Sequence, residues 1–91
     1  MKIESVKPVG GYVLSVTFHD GVTGKIDLSD LVRVGVFKTL QNQELFSKVF
    51  TTGYSLAWSE DLEIDANNIY MEITGKSMGE LEAQNTAHAS N

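Results

Sequence analysis

The chain has 91 residues, 42% of them hydrophobic and 21% charged, which fits one globular domain with one modest core. Seven basic residues stand against twelve acidic ones, a net charge of −5, and the six lysines and single arginine are scattered, so the clustered cations that displace counterions from nucleic-acid phosphates are lacking. The absence of cysteine excludes a disulfide framework, a thiolate metal site and a cysteine nucleophile. Met1-Lys2-Ile3-Glu4 has no apolar signal core and no stretch approaches a membrane span, so the cytoplasm is the expected compartment and no membrane partner is expected.

An opening strand is expected over about 2–6, turning at Pro8-Val9-Gly10-Gly11. Tyr12, Leu14, Val16 and Phe18 then alternate with polar residues, as do Val22, Gly24, Ile26 and Leu28, giving strands over about 11–18 and 22–28. A two-residue loop at Asp20-Gly21 would set apolar residues opposite polar ones. A three-residue loop of His19, Asp20 and Gly21 instead pairs Phe18 with Val22, Val16 with Gly24, Leu14 with Ile26 and Tyr12 with Leu28. It also puts Gly21 where the turn needs a positive φ.

After Leu28 the period changes. Asp27, supported by Asp30, is read as the cap of a short helix over about 28–33 that Gly35 interrupts, with Val36, Phe37 and Leu40 as core contacts from a short turn. Asn42 caps a second short helix over about 43–48, with Leu45, Phe46 and Val49 at helical spacing. Strands over about 55–58 and 62–65 make a second hairpin across Ser59-Glu60-Asp61, pairing Trp58 with Leu62 and Leu56 with Ile64. Asp65 caps a helix over about 66–74, in which Ile69 and Ile73 share a face and Gly75 is the stop. The fold class is α+β: a small antiparallel sheet of two hairpins with short helices, occupying residues 1–75. Residues 76–91, small and polar apart from Met78 and Leu81, are read as a mobile tail.

Candidate chemistry is sparse. His19 stands beside Asp20, but neighbours on a tight turn point apart, no nucleophile accompanies them, and Asp-Gly is what the turn itself requires. His88 lies in the polar tail. Asp61, Glu63, Asp65, Asn67 and Glu72 fall at positions 1, 3, 5, 7 and 12 of an EF-hand-like window. Ala66 stands at position 6, where that loop needs glycine, and Leu62 and Ile64 alternate as a strand, so the window reads as a solvated strand face and a helix cap. Trp58, Tyr12, Tyr54 and Tyr70 suit core or half-buried positions. No catalytic, cofactor-binding or metal-binding residue is assigned.

The ordered runs Val16-Thr17-Phe18-His19-Asp20-Gly21, Ile26-Asp27-Leu28-Ser29-Asp30-Leu31, Gly35-Val36-Phe37-Lys38-Thr39-Leu40, Glu44-Leu45-Phe46, Leu56-Ala57-Trp58 and Leu62-Glu63-Ile64-Asp65-Ala66-Asn67-Asn68-Ile69-Tyr70 resemble the bacterial family catalogued as domain of unknown function 2442, over residues 1–75. The chain departs from the family at Ser59-Glu60-Asp61, where Pro-Asn-Gly is common, and at Asp65-Ala66, where Asp-Pro is common. The resemblance implies a small α+β fold without an established activity. Some relatives look like fusions to a helix-turn-helix domain, and others are similar to products of genes beside a second small protein, which implies an accessory or partner-binding role.

The leading expectation is a non-catalytic cytoplasmic interaction or regulatory module whose partner is another protein, since acidic surface and short strand edges suit such a role. The alternative is a small-molecule sensor or minor enzyme with a pocket near Trp58 and Tyr70. Self-association through an exposed edge strand is a further possibility.

Overall fold

The computed structural model describes residues 1–75, so the tail assigned to 76–91, with His88, lies outside the described residues. Strands β1 (Ile3–Gly10), β2 (Val13–Phe18) and β3 (Thr23–Asp27) form one three-stranded antiparallel sheet in the order β1-β2-β3. Two 3₁₀ helices, Leu31–Arg33 and Gly35–Gln41, lead into a four-residue helix α1 (Gln43–Phe46). Strands β4 (Phe50–Thr51), β5 (Ser55–Ser59) and β6 (Leu62–Asp65) form a second three-stranded sheet, and α2 (Ala66–Thr74) follows. The fold is a small α+β fold, built on two sheets rather than one. No described helix is long and apolar enough to cross a membrane.

The first hairpin has the register that alternation demands. Leu14 faces Ile26 and Val16 faces Gly24, while Phe18 N–H donates to the Val22 carbonyl at 2.8 Å and Leu28 N–H to that of Tyr12 at 2.8 Å. Leu14, Val16, Phe18 and Ile26 are thereby all buried on one face. Gly21 has φ +92°, the backbone angle that closes the three-residue loop. β1 continues well past residue 6, through Pro8 to Gly10. It pairs with β2 alone in its sheet, and an edge strand tolerates a residue without an N–H.

The second hairpin departs from the alternation. Leu56 pairs with Ile64 as expected, but Ser59, not Trp58, faces Leu62, with a register shift between Ala57 and Ser59. A bulge leaves Trp58 without a cross-strand partner and shortens the loop to Glu60-Asp61. The displaced indole gains another contact, its Nε1–H donating to the Phe46 carbonyl at 2.9 Å. The two-residue strand β4 (Phe50–Thr51) is too short to give a periodic signal in the sequence.

The stretch between the sheets is mostly 3₁₀, not α. Asp27 does not cap a helix; its Oδ1 accepts from Ser29 N–H at 2.9 Å, making an Asx turn directly after β3. Asp30 takes the N-cap position of Leu31–Arg33 without a side-chain cap bond. Asn42 does cap α1, its Oδ1 accepting from Glu44 and Leu45 N–H at 2.9 and 3.3 Å. α1 ends at Phe46, two residues before the expected boundary.

Asp65 caps α2 by accepting from Asn67 N–H at 2.9 Å, and Gly75 ends it in the left-handed region at φ +74°. Ala66, Ile69 and Tyr70 are buried at helical spacing, and Ile73 on the same stripe packs against the core. One cluster draws Leu14, Val16 and Phe18 from the first sheet, Leu56 from the second, Phe46 from α1 and Leu40 from the 3₁₀ segment. The sheets also meet through backbone, Ile3 N–H donating to the Gly53 carbonyl at 2.7 Å.

Candidate binding surface

Of the acidic candidates, Asp20, Glu63 and Asp65 each accept structural hydrogen bonds. Asp20 Oδ1 accepts from Val22 N–H at 3.0 Å, and its Oδ2 accepts from the Tyr70 hydroxyl at 2.7 Å, so this carboxylate joins the hairpin loop to α2. That hydrogen bond, then burial and the nearby charge of Asp20, raise the Tyr70 pKa above its ordinary value, because each favours the neutral phenol. His19 is exposed, and its backbone N–H donates to the Lys2 carbonyl at 3.0 Å.

The EF-hand-like window is spread over three elements. Asp61 stands in the β5–β6 turn, Glu63 Oε1 accepts from Ser55 Oγ at 2.9 Å, Asp65 caps α2, and Glu72 lies on that helix. Among the described residues, no three His, Asp or Glu side chains are grouped so as to hold a metal ion.

The aromatic residues part into separate contacts. Tyr12 meets Phe46 edge-on at 5.2 Å and donates its hydroxyl to the Gln41 carbonyl at 2.6 Å. Trp58 lies against the same Phe46 ring at 5.8 Å, whereas Tyr70 meets Phe18 at 4.9 Å. Tyr54 is 64% exposed, contrary to the half-buried position expected for it, because it sits in the β4–β5 turn outside the strand alternation; the Lys2 ammonium lies 5.5 Å from its ring centroid.

Surface concavities lie among the described residues, and two of them bear on binding. One, of about 350 Å³, lies on the polar face of the first sheet, lined by Ser5, Val6, Lys7, Ser15, Thr17 and Thr23. The other, of about 280 Å³, is built from β3, the first 3₁₀ helix, β6 and α2. Ile26, Leu28, Leu31, Ile64 and Ile69 supply its apolar part, and Asp27, Asp30, Asn68 and Glu72 its polar part. Its three carboxylates are all on exposed residues, and its lining includes no lysine or arginine. The bonds from Ser29 hold the Asp27 carboxyl below its ordinary pKa, so it is firmly anionic at neutral pH. Neither Trp58 nor Tyr70 lines either concavity.

This second groove was not read from the sequence. Its residues come from four segments, and each has a sufficient local explanation as core, turn or solvated helix face. Only the packing of α2 over β3 gathers them.

β3 also leaves an edge open. The bonds from Phe18 N–H to Val22 and from Leu28 N–H to Tyr12 fix the inward-bonding set as Val22, Gly24, Ile26 and Leu28. The backbone groups of Thr23, Lys25 and Asp27 point the other way, and no strand among the described residues pairs there.

The fold is similar to the crystal structure of a protein from Nitrosomonas europaea ATCC 19718 described as a "putative DNA binding protein", with a TM-score of 0.71 and 23% identity over 79% of this chain and 48% of that one. The chain thus spans about half the length of that protein, and at this identity the likeness is one of fold. No curated protein matches. The family model for proteins of unknown function named DUF2442 matches residues 3–75, the whole of the two-sheet fold, and the chain belongs to that family.

Proposed function

We propose that this chain is a non-catalytic protein-interaction or regulatory accessory module acting in the cytoplasm. The observation that carries the reading is the outer edge of β3, where the backbone donors and acceptors of Thr23, Lys25 and Asp27 pair with no strand among the described residues. Such an edge accepts an added strand, with main-chain bonds giving affinity and flanking side chains giving selectivity. Lys25 and Asp27 discourage indiscriminate pairing, because charge at an edge must be matched by the incoming segment. The net charge of −5 favours encounter with basic partners.

The test is affinity capture by the tagged full chain from native extract, with and without nuclease and across a salt series. Retention of one specific protein, insensitive to nuclease and weakened by salt, is the expected result. Empty capture at every salt concentration overturns the reading. The structural neighbour's description raises DNA binding as the other outcome. Scattered lysines and the acidic balance weigh against it, and loss of retained material on nuclease treatment would favour it.

A further inference from the structure

The groove between β3 and α2 specifies the chemistry of what docks there, an inference that rests on the interaction reading above. We propose that it binds a partner segment presenting an aliphatic side chain flanked by lysine or arginine. The apolar part is wholly aliphatic, from Ile26, Leu28, Leu31, Ile64 and Ile69, with neither aromatic faces for stacking nor hydroxyl groups. Ile26, Leu28 and Ile69 are buried and form its floor, so half-buried Leu31 and Ile64 supply the aliphatic surface that a docked side chain would cover. At about 280 Å³ it lies just below the roughly 300–1,000 Å³ typical of ligand pockets, a size for one or two side chains of a longer segment.

Charge then selects the neighbours of that side chain. Asp27, Asp30 and Glu72 come from the end of β3, the turn before the 3₁₀ helix and α2, and so approach the groove from three elements. All are exposed, so an incoming cation can meet them without a large desolvation cost. An acidic segment would meet like charge from all three elements, which is how such a rim rejects wrong partners.

The test is selection of a random nonapeptide phage library on the full chain at low salt, then fluorescence anisotropy with the synthetic consensus peptide. The expected consensus sets Lys or Arg beside Leu, Ile or Val. The Asp27→Asn/Asp30→Asn/Glu72→Gln variant, checked for folding by circular dichroism, should bind that peptide about tenfold more weakly at low salt, with the difference shrinking as salt screens the rim. Should the triple variant fail to fold, Asp30→Asn and Glu72→Gln separately take its place. No enrichment, an acidic consensus, or equal binding by wild type and variant overturns the proposal. Extract capture separates the two failures: one partner held equally by wild type and variant sinks only the groove, whereas empty capture by both sinks the interaction reading itself.

Discussion

Gly24 occupies a position where no side chain fits. It lies opposite Val16 in the first sheet, and a β-carbon added there would overlap Cγ2 of Ile73 on α2. The helix thus rests on the strand itself rather than on a side chain, which also brings α2 near enough to wall the groove. Gly24→Ala should destabilise the protein by about 1–3 kcal/mol, the usual cost of overpacking. Ile73→Ala removes the obstructing methyl, so adding it to Gly24→Ala should cost less than it does alone. Urea unfolding of the four proteins checks this, and strict additivity of the two changes would refute it. In the sequence Gly24 reads only as one more member of the alternating apolar set; its partner lies 49 positions on, a span that no local pattern reports.

α2 is tied to the first hairpin by the Tyr70–Asp20 hydrogen bond, 50 residues apart in the chain. Tyr70→Phe should cost about 1 kcal/mol near neutral pH, discounted because Asp20 is exposed. The pH dependence has a definite sign. The folded state holds the phenol proton more tightly than the unfolded chain, so the contribution of Tyr70 is complete below the ordinary pKa of about 10 and is lost as pH rises through the higher folded value. Wild type should therefore lose its advantage over Tyr70→Phe above pH 10 in denaturant titrations, and an advantage constant across that range would refute the link.

The elements legible in the sequence are those whose determinants are local. Alternation and Asp20-Gly21 specify the first hairpin, and Asn42 and Asp65 mark two helix starts. Trp58 misleads because an apolar residue at an alternating position looks paired, while its true partner is a carbonyl on α1. The 3₁₀ helix Gly35–Gln41 has the sequence of a short turn with core contacts, because its packing, not a helical period, defines it. The groove and the open edge follow from topology, so the residues that make them are visible in the sequence only singly.

Across the whole molecule, two sheets of three strands share one core cluster and make few backbone bonds to each other. Shared burial predicts that they stand or fall together, since neither sheet has an apolar interior of its own. The single tryptophan makes this measurable. Trp58, half-buried and fastened to Phe46, senses the junction of α1 with the second sheet, so its emission serves as a built-in lamp at that junction. Far-UV circular dichroism averages over both sheets. In a denaturant series the two signals should trace one superimposable curve; a tryptophan transition that precedes the other would mark the α1–β5 junction as a separately melting unit, and with it a part of the surface able to rearrange while the β3 edge stays formed.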